Sequence, residues 1–207
     1  LRFLLISYYC RKGKMERNIS EYYKITENYN AHKNVTDFLS LNVLPSNAID
    51  LGCGAGRDTI ALIKKGWNVL AIDKEDTEEI IRKHLTDEEQ KKMKFLNAKF
   101  GRMDIPKTKL IVANYSLSFS KRELFNEIWE KIDDSIIKGG YFVGTLFGKN
   151  DSWDKGKNDM TFFDNNNINE MFKEFKIIKY EEIEKDKKTA LGQDKHWHIF
   201  DITAIKR

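Results

Sequence analysis

The 207-residue sequence predicts an α/β fold built on one doubly wound sheet, and three observations carry that prediction. The run Ala48-Ile-Asp-Leu-Gly-Cys-Gly-Ala-Gly-Arg57 reads as a buried strand, a glycine-rich turn and the start of a helix, and Val69-Leu-Ala-Ile-Asp73 follows as a second strand ending in a carboxylate. Strand and helix patterns then alternate to the end of the chain, as a parallel sheet covered on both faces requires. The last two strand patterns are joined only by the charged segment Lys185–Lys195. That connection is too short and too polar for a crossover helix, so the seventh strand must run antiparallel to the sixth. The expected architecture is a Rossmann-like seven-stranded sheet, six strands parallel plus antiparallel strand 7, with helices on both faces.

Each element has its own signal. Residues 20–28, with Tyr22 and Tyr23, form a short helix over the sheet, and 33–42 place Val35, Phe38, Leu39 and Leu41 at near-helical spacing before Pro45. Ala48–Leu51 is strand 1, Asp58–Lys65 the helix after the turn with Gly66 as its stop, and Trp67–Ile72 strand 2. Glu75–Lys92 is helical with one break, at which Thr86 caps the second piece. Met93–Ala98 and Lys109–Ala113 are strands 3 and 4. Lys121–Ile137 is a long amphipathic helix, with Leu124, Phe125, Ile128, Trp129, Ile132 and Ile136 on one stripe, stopped by Gly139-Gly140. Tyr141–Phe147, Lys176–Glu184 and His196–Ile205 are strands 5, 6 and 7, with a helix at Asn165–Lys173.

The bulk properties narrow the functional classes. One domain is expected over residues 15–207, with residues 1–14 an N-terminal extension: their apolar run is about half of a membrane span, and their basic cluster follows it rather than preceding it as in a signal peptide. A net charge of +4, spread along the chain, argues against a nucleic-acid partner, which would want basic residues gathered on one face. Two cysteines make no disulfide framework, which suits a reducing, cytoplasmic setting. Nothing in the pattern calls for a membrane or a metal, and oligomeric state is unreadable.

The glycine turn carries the chemistry. Gly52, Gly54 and Gly56 spell G-x-G-x-G, and Asp73 sits about twenty residues past the first glycine, where a carboxylate takes a ribose hydroxyl pair. A dinucleotide fold wants its third glycine where Arg57 stands. The turn therefore favours a nucleoside ligand without a pyrophosphate, S-adenosylmethionine foremost, over NAD.

Asp50-Leu-Gly-Cys-Gly-Ala-Gly56 with Asp73 resembles motif I and the motif II acid of class I S-adenosylmethionine-dependent methyltransferases. Gly56-Arg-Asp-Thr, Gly66-Trp and Ile72-Asp-Lys resemble the tellurite-resistance branch of that superfamily, with weaker echoes at Ala113–Phe119, Gly139–Gly148 and Lys195-His-Trp-His198. The resemblance spans roughly residues 20–207 and implies the cofactor.

On that reading Asp50, Gly52, Cys53, Gly54, Gly56, Asp73, Lys74, Lys99, Phe100 and Asn114 are the cofactor-binding candidates. Asp50 would accept from the methionine amino group, while Cys53 is a small residue packed in the turn. Strand 3 departs from the superfamily pattern: the usual adenine-reading acid is replaced by Lys99, which cannot accept a hydrogen bond, so Phe100 and Met103 are left as apolar contacts and Asp104 as a displaced acceptor. Asn114-Tyr-Ser-Leu117 lacks the prolines of base N-methyltransferases. Tyr22, Tyr23, Tyr115, Ser116, Trp153, His196 and His198 are candidates for the substrate pocket, and Tyr115, His196 and His198 for catalysis; the two histidines share a face of strand 7. His32 and the N-terminal tyrosines read as packing residues first, with a lid over the pocket as the alternative. The expected activity is methyl transfer to a small-molecule acceptor such as a thiol or metalloid oxyanion. An RNA or protein methyltransferase and a non-catalytic nucleoside-binding protein are the alternatives.

Overall fold

A computed structural model of the chain describes residues 19–101, 104–156 and 159–207. The segment 1–14 and Met103 lie outside the described residues. One seven-stranded sheet has the order β3-β2-β1-β4-β5-β7-β6. Its strands are β1 (Asn47–Leu51), β2 (Asn68–Asp73), β3 (Met93–Asn97), β4 (Thr108–Asn114), β5 (Ile136–Phe147), β6 (Phe175–Asp186) and β7 (His196–Lys206). β1 to β5 pair in parallel, and β7 is antiparallel to both of its neighbours, β5 and β6. The antiparallel strand therefore slots between the fifth and sixth rather than lying outside them.

The helices are α1 (Ile19–Thr26), α2 (Lys33–Ser40), α3 (Arg57–Lys64), α4 (Glu78–Arg82), α5 (Asp87–Gln90), α6 (Arg122–Ser135) and α7 (Asn165–Met171), with a 3-10 turn at Leu117–Phe119. They cover the sheet in two layers because strand side chains alternate. Even-numbered positions of β1 and β4 (Ala48, Leu110, Val112) pack with Phe38 of α2, Leu62 of α3, Trp67 and Ile81. Their odd neighbours (Ile49, Leu51, Ile111, Ala113) pack with Phe125, Ile128 and Ile132 of α6 and Ile168 of α7.

Most boundaries fall within two residues of expectation, one differs by five, and one cap is as expected. The break in Glu75–Lys92 leaves two single-turn helices, and Thr86 closes the second with a reciprocal capping box against Glu89. The helix expected to run to Ile137 stops at Ser135, and β5 begins at Ile136, five residues early. Ile136 pairs with Thr108 at the start of β4, and the register shifts between Thr108 and Leu110. Gly139 and Gly140 thus sit within a strand rather than after a helix. No helix among the described residues is long and apolar enough to cross a membrane.

Gly56 does the close packing that a glycine at position 57 would do in a dinucleotide fold. It caps α3 with φ of 84°, and a Cβ there would lie 2.4 Å from Cγ1 of Ile81 on α4. Gly56→Ala is expected to lose on the order of 1–3 kcal/mol from overpacking, with further strain from the positive φ. Urea denaturation checks this, and an unchanged midpoint would refute the packing role.

Candidate functional site at the carboxyl ends of the central strands

Strands β1, β2 and β4 end side by side, and the glycine turn bends across them. Gly52 donates its N–H to the Ile72 carbonyl at 2.7 Å, which draws the turn against the end of β2. Asp73, buried at that end, accepts from the Gly54 N–H at 2.8 Å and from the Glu75 N–H at 3.0 Å. The hydroxyl of Tyr23 on α1 donates to the same carboxylate at 3.4 Å. Burial and the neighbouring Asp73 charge push the Tyr23 phenol well above its ordinary range, so it stays protonated and donates.

The turn is walled unevenly. A Cβ on Gly52 would lie 2.4 Å from Cβ of Ser116 and 3.3 Å from Cζ of Phe100. Beside Gly54, whose φ is 54°, only Tyr23 comes near, at 3.5 Å. Ser116 is buried, and its Oγ has no hydrogen-bond partner among the described residues. A buried hydroxyl with nothing to bond to is costly and marks a place where a ligand atom is wanted. Cys53 is buried in the turn, and burial first, then the Asp50 and Asp73 charges, push its thiol up, away from a reactive thiolate. Lys74 and Lys99 are exposed at the ends of β2 and β3, Lys74 pairing with Glu75 at 3.6 Å, and Asp104 is exposed as well.

Behind the turn lies a buried polar network that sequence reasoning missed. Asp58, in the first turn of α3, meets the His32 ring at 2.7 Å and accepts from the His32 N–H and the Asn114 amide, both at 2.8 Å. Burial alone would raise the Asp58 carboxyl, but the His32 charge and these hydrogen bonds outweigh it and hold the group below the usual carboxylate range. The Asn114 oxygen accepts from Asn34 at 2.7 Å, and the Thr145 hydroxyl, with one proton to give, sits between that oxygen at 2.9 Å and the Asp201 carboxylate at 2.5 Å. Asn114 is thus fully engaged inside the protein. Its partners lie 80 and 31 residues away, a separation that leaves no local sequence signal.

Asp50 also faces inward. Its carboxylate accepts from the Thr59 hydroxyl of α3 at 2.7 Å, and burial together with the Asp58 charge pushes it up to about 8. A carboxyl raised in the folded state holds a proton that the unfolded chain has lost, so its contribution to stability is full below about pH 4 and disappears as pH rises through 8. Asp50→Asn should therefore flatten the fall in stability between pH 5 and pH 8. Denaturant titrations at several pH values test this, and parallel slopes for both proteins would contradict it.

Tyr115 follows β4 with φ of 50°, a left-handed backbone that a bulky aromatic residue rarely adopts. Such strain gathers at functional positions. Its ring lies 5.1 Å from His32 and 6.0 Å from both Phe147 and Trp197. Burial and the Asp201 charge raise its phenol far above the ordinary range, so it is a hydrogen-bond donor, not a base. Tyr22 packs edge-on against Tyr23.

His196 and His198 share a face of β7, and it is the face turned away from Tyr115. His196 lies between Asp186 at 2.8 Å and Glu184 at 3.0 Å, which raise its pKa. His198 receives the Asn150 N–H at 3.0 Å and reaches Glu182 at 2.9 Å, so both of its ring nitrogens are engaged. Trp197, between them, points to the Tyr115 side, where it meets Trp153 at 5.7 Å. Among the described residues no group of three His, Cys, Asp or Glu side chains is placed to hold a metal.

The family model described as tellurite resistance protein TehB matches residues 8–195. The chain belongs to the TehB family. TehB from Haemophilus influenzae superposes with a TM-score of 0.73 at 20% identity, over 88% of this chain and 66% of that one. The Burkholderia thailandensis 1,6-didemethyltoxoflavin-N1-methyltransferase, solved with 1,6-didemethyltoxoflavin and S-adenosylhomocysteine, gives a TM-score of 0.65 at 15% identity over 84% of this chain and 76% of that one. Carboxy-S-adenosyl-L-methionine synthase of Nautilia profundicola is 33% identical over 97 residues, 46% of this chain. The matched stretches span 42% of that synthase and 66% of the Haemophilus TehB. At such identities the structural likenesses establish that this TehB-family chain has the class I methyltransferase fold.

Proposed function

We propose that this chain is an S-adenosylmethionine-dependent methyltransferase acting on a small-molecule acceptor, with residues 15–207 as its one domain and the cytoplasm as its setting. The observation that carries the reading is the opposition of Asp73 to Gly54 at the carboxyl ends of β1 and β2, joined by a 2.8 Å hydrogen bond. Open α/β sheets bind nucleosides at this edge.

The residues fit the cofactor. Asp73 supplies acceptor oxygens for the ribose hydroxyls, in the place the Tyr23 hydroxyl touches now. Gly54 leaves room for close backbone approach, Phe100 supplies apolar contact for the adenine, and the unsatisfied Ser116 hydroxyl faces the turn. The cofactor supplies an electrophilic methyl on a sulfonium. The protein's part is to align the acceptor and exclude water.

Calorimetry with S-adenosylhomocysteine tests the binding, and release of that product over a panel of small acceptors tests the transfer. Tight binding without turnover would favour the non-catalytic alternative. Binding of NAD but not S-adenosylhomocysteine would overturn the proposal.

A further inference from the structure

A wall of aromatic rings begins at Tyr115, beside the end of the glycine turn. Tyr115 precedes Ser116, which touches Gly52. From Tyr115 the wall runs through Trp197 and Phe147 to Trp153 and Phe119, with successive ring centroids 5.5 to 6.2 Å apart. Phe147 is fully buried, whereas Tyr115, Trp153 and Trp197 are half-buried and Phe119 is 37% exposed. The wall is therefore a lining with open edges, not a closed core.

The cation within it is already neutralised. Lys195 is buried, pairs with buried Asp151, and holds its ammonium 4.0 Å from the Trp153 ring centroid and 4.5 Å from that of Trp197. Cation–π contacts of this kind fix the two indoles in place. The ammonium is spent on Asp151 and the rings, so this lining offers aromatic faces in place of an uncompensated positive charge for an oxyanion.

We infer that the acceptor of this methyltransferase is a flat aromatic molecule, packed against Tyr115, Trp153 and Trp197, face-on to one ring and edge-on to its inclined neighbours, with its nucleophilic atom turned toward the glycine turn. The inference rests on the methyltransferase reading above and narrows its substrate class from small molecules in general. For an aromatic thiol the balance is simple. The sulfur bonds to the methyl, the sulfonium C–S bond breaks with its electron pair staying on the cofactor, and the thiol proton passes to solvent.

Thiophenol is the probe, with 2-mercaptoethanol and tellurite as comparison acceptors, all in the presence of S-adenosylmethionine. The expected KM for thiophenol is at least about tenfold below that for 2-mercaptoethanol, as face and edge contacts with two or three rings imply. Thiophenol should also quench tryptophan fluorescence of the S-adenosylhomocysteine complex saturably, a readout independent of turnover. Trp197→Ala should raise its KM about tenfold with kcat little changed, and Trp197→Phe, which keeps a ring, should restore most of the affinity. Equal KM values for the two thiols, preferred turnover of tellurite, or indifference to Trp197→Ala with S-adenosylhomocysteine still bound would overturn this inference alone. Failure of S-adenosylhomocysteine to bind wild-type protein would overturn the methyltransferase reading and this inference with it.

Discussion

Replacing Asp73 by alanine weakens S-adenosylhomocysteine binding by roughly ten- to a hundredfold, the worth of about 1.5–3 kcal/mol for hydrogen bonds to a charged group. The carboxylate sits at the end of β2, where strand geometry and the Gly54 and Glu75 N–H groups hold it in one orientation before any ligand arrives. The variant removes the acceptor for the ribose and also leaves the Gly54 N–H of the turn and the Glu75 N–H after β2 without this acceptor, so the turn itself loosens. Asp73→Asn keeps one acceptor oxygen and should lie between wild type and alanine. Calorimetry on folded protein, judged by circular dichroism, reads the effect. Wild-type affinity in Asp73→Ala would remove the carboxylate from the site.

The second large effect is on stability. Lys195→Met is expected to cost about 3–5 kcal/mol, because the Asp151 carboxylate stays buried with its counter-charge gone. Asp151 also accepts the Trp153 N–H at 3.0 Å and the His198 N–H at 3.2 Å, so one carboxylate ties the loop after β5 to the start of β7. Charge burial, not side-chain packing, dominates the loss. Lys195→Met combined with Asp151→Asn should therefore be more stable than Lys195→Met alone, although it carries one more substitution. Denaturant unfolding of the three proteins measures this, and a single variant within about 0.5 kcal/mol of wild type would show that the pair is unimportant.

What the sequence reveals of this molecule follows the range of the interactions involved. The glycine turn and Asp73 lie within one strand–turn–helix–strand unit, and their spacing is enough to bring them together. The antiparallel course of β7 is legible because the segment before it is too short to cross the sheet. The start of β5 is not: Ile132 and Ile136 continue the apolar stripe of α6, so periodicity carries the helix past Ser135, while pairing of Ile136 with Thr108 decides otherwise. Tertiary pairing overrides a local pattern there.

The site shows the same division. The network of Asp58, His32, Asn34, Asn114, Thr145 and Asp201 joins five elements and the loop before α2, and no spacing rule links residues so far apart. Lys195-His-Trp-His198 was half legible. The alternation that puts both histidines on one face of β7 also turns Lys195 and Trp197 to the other, and that second face is the one beside Tyr115. The histidines draw attention by their chemistry, whereas the tryptophan and the buried lysine take their meaning from partners at Asp151, Trp153 and Phe147.

A crystal structure with S-adenosylhomocysteine bound tests the central claim most directly. The account predicts both ribose hydroxyls on the Asp73 carboxylate, the Tyr23 hydroxyl displaced from it, and the nucleoside lying across Gly52 to Gly54 with the sulfur directed toward Tyr115 and Ser116. A ligand seated elsewhere on the protein, with Asp73 still bonded to Tyr23 and the Gly54 N–H, would contradict it.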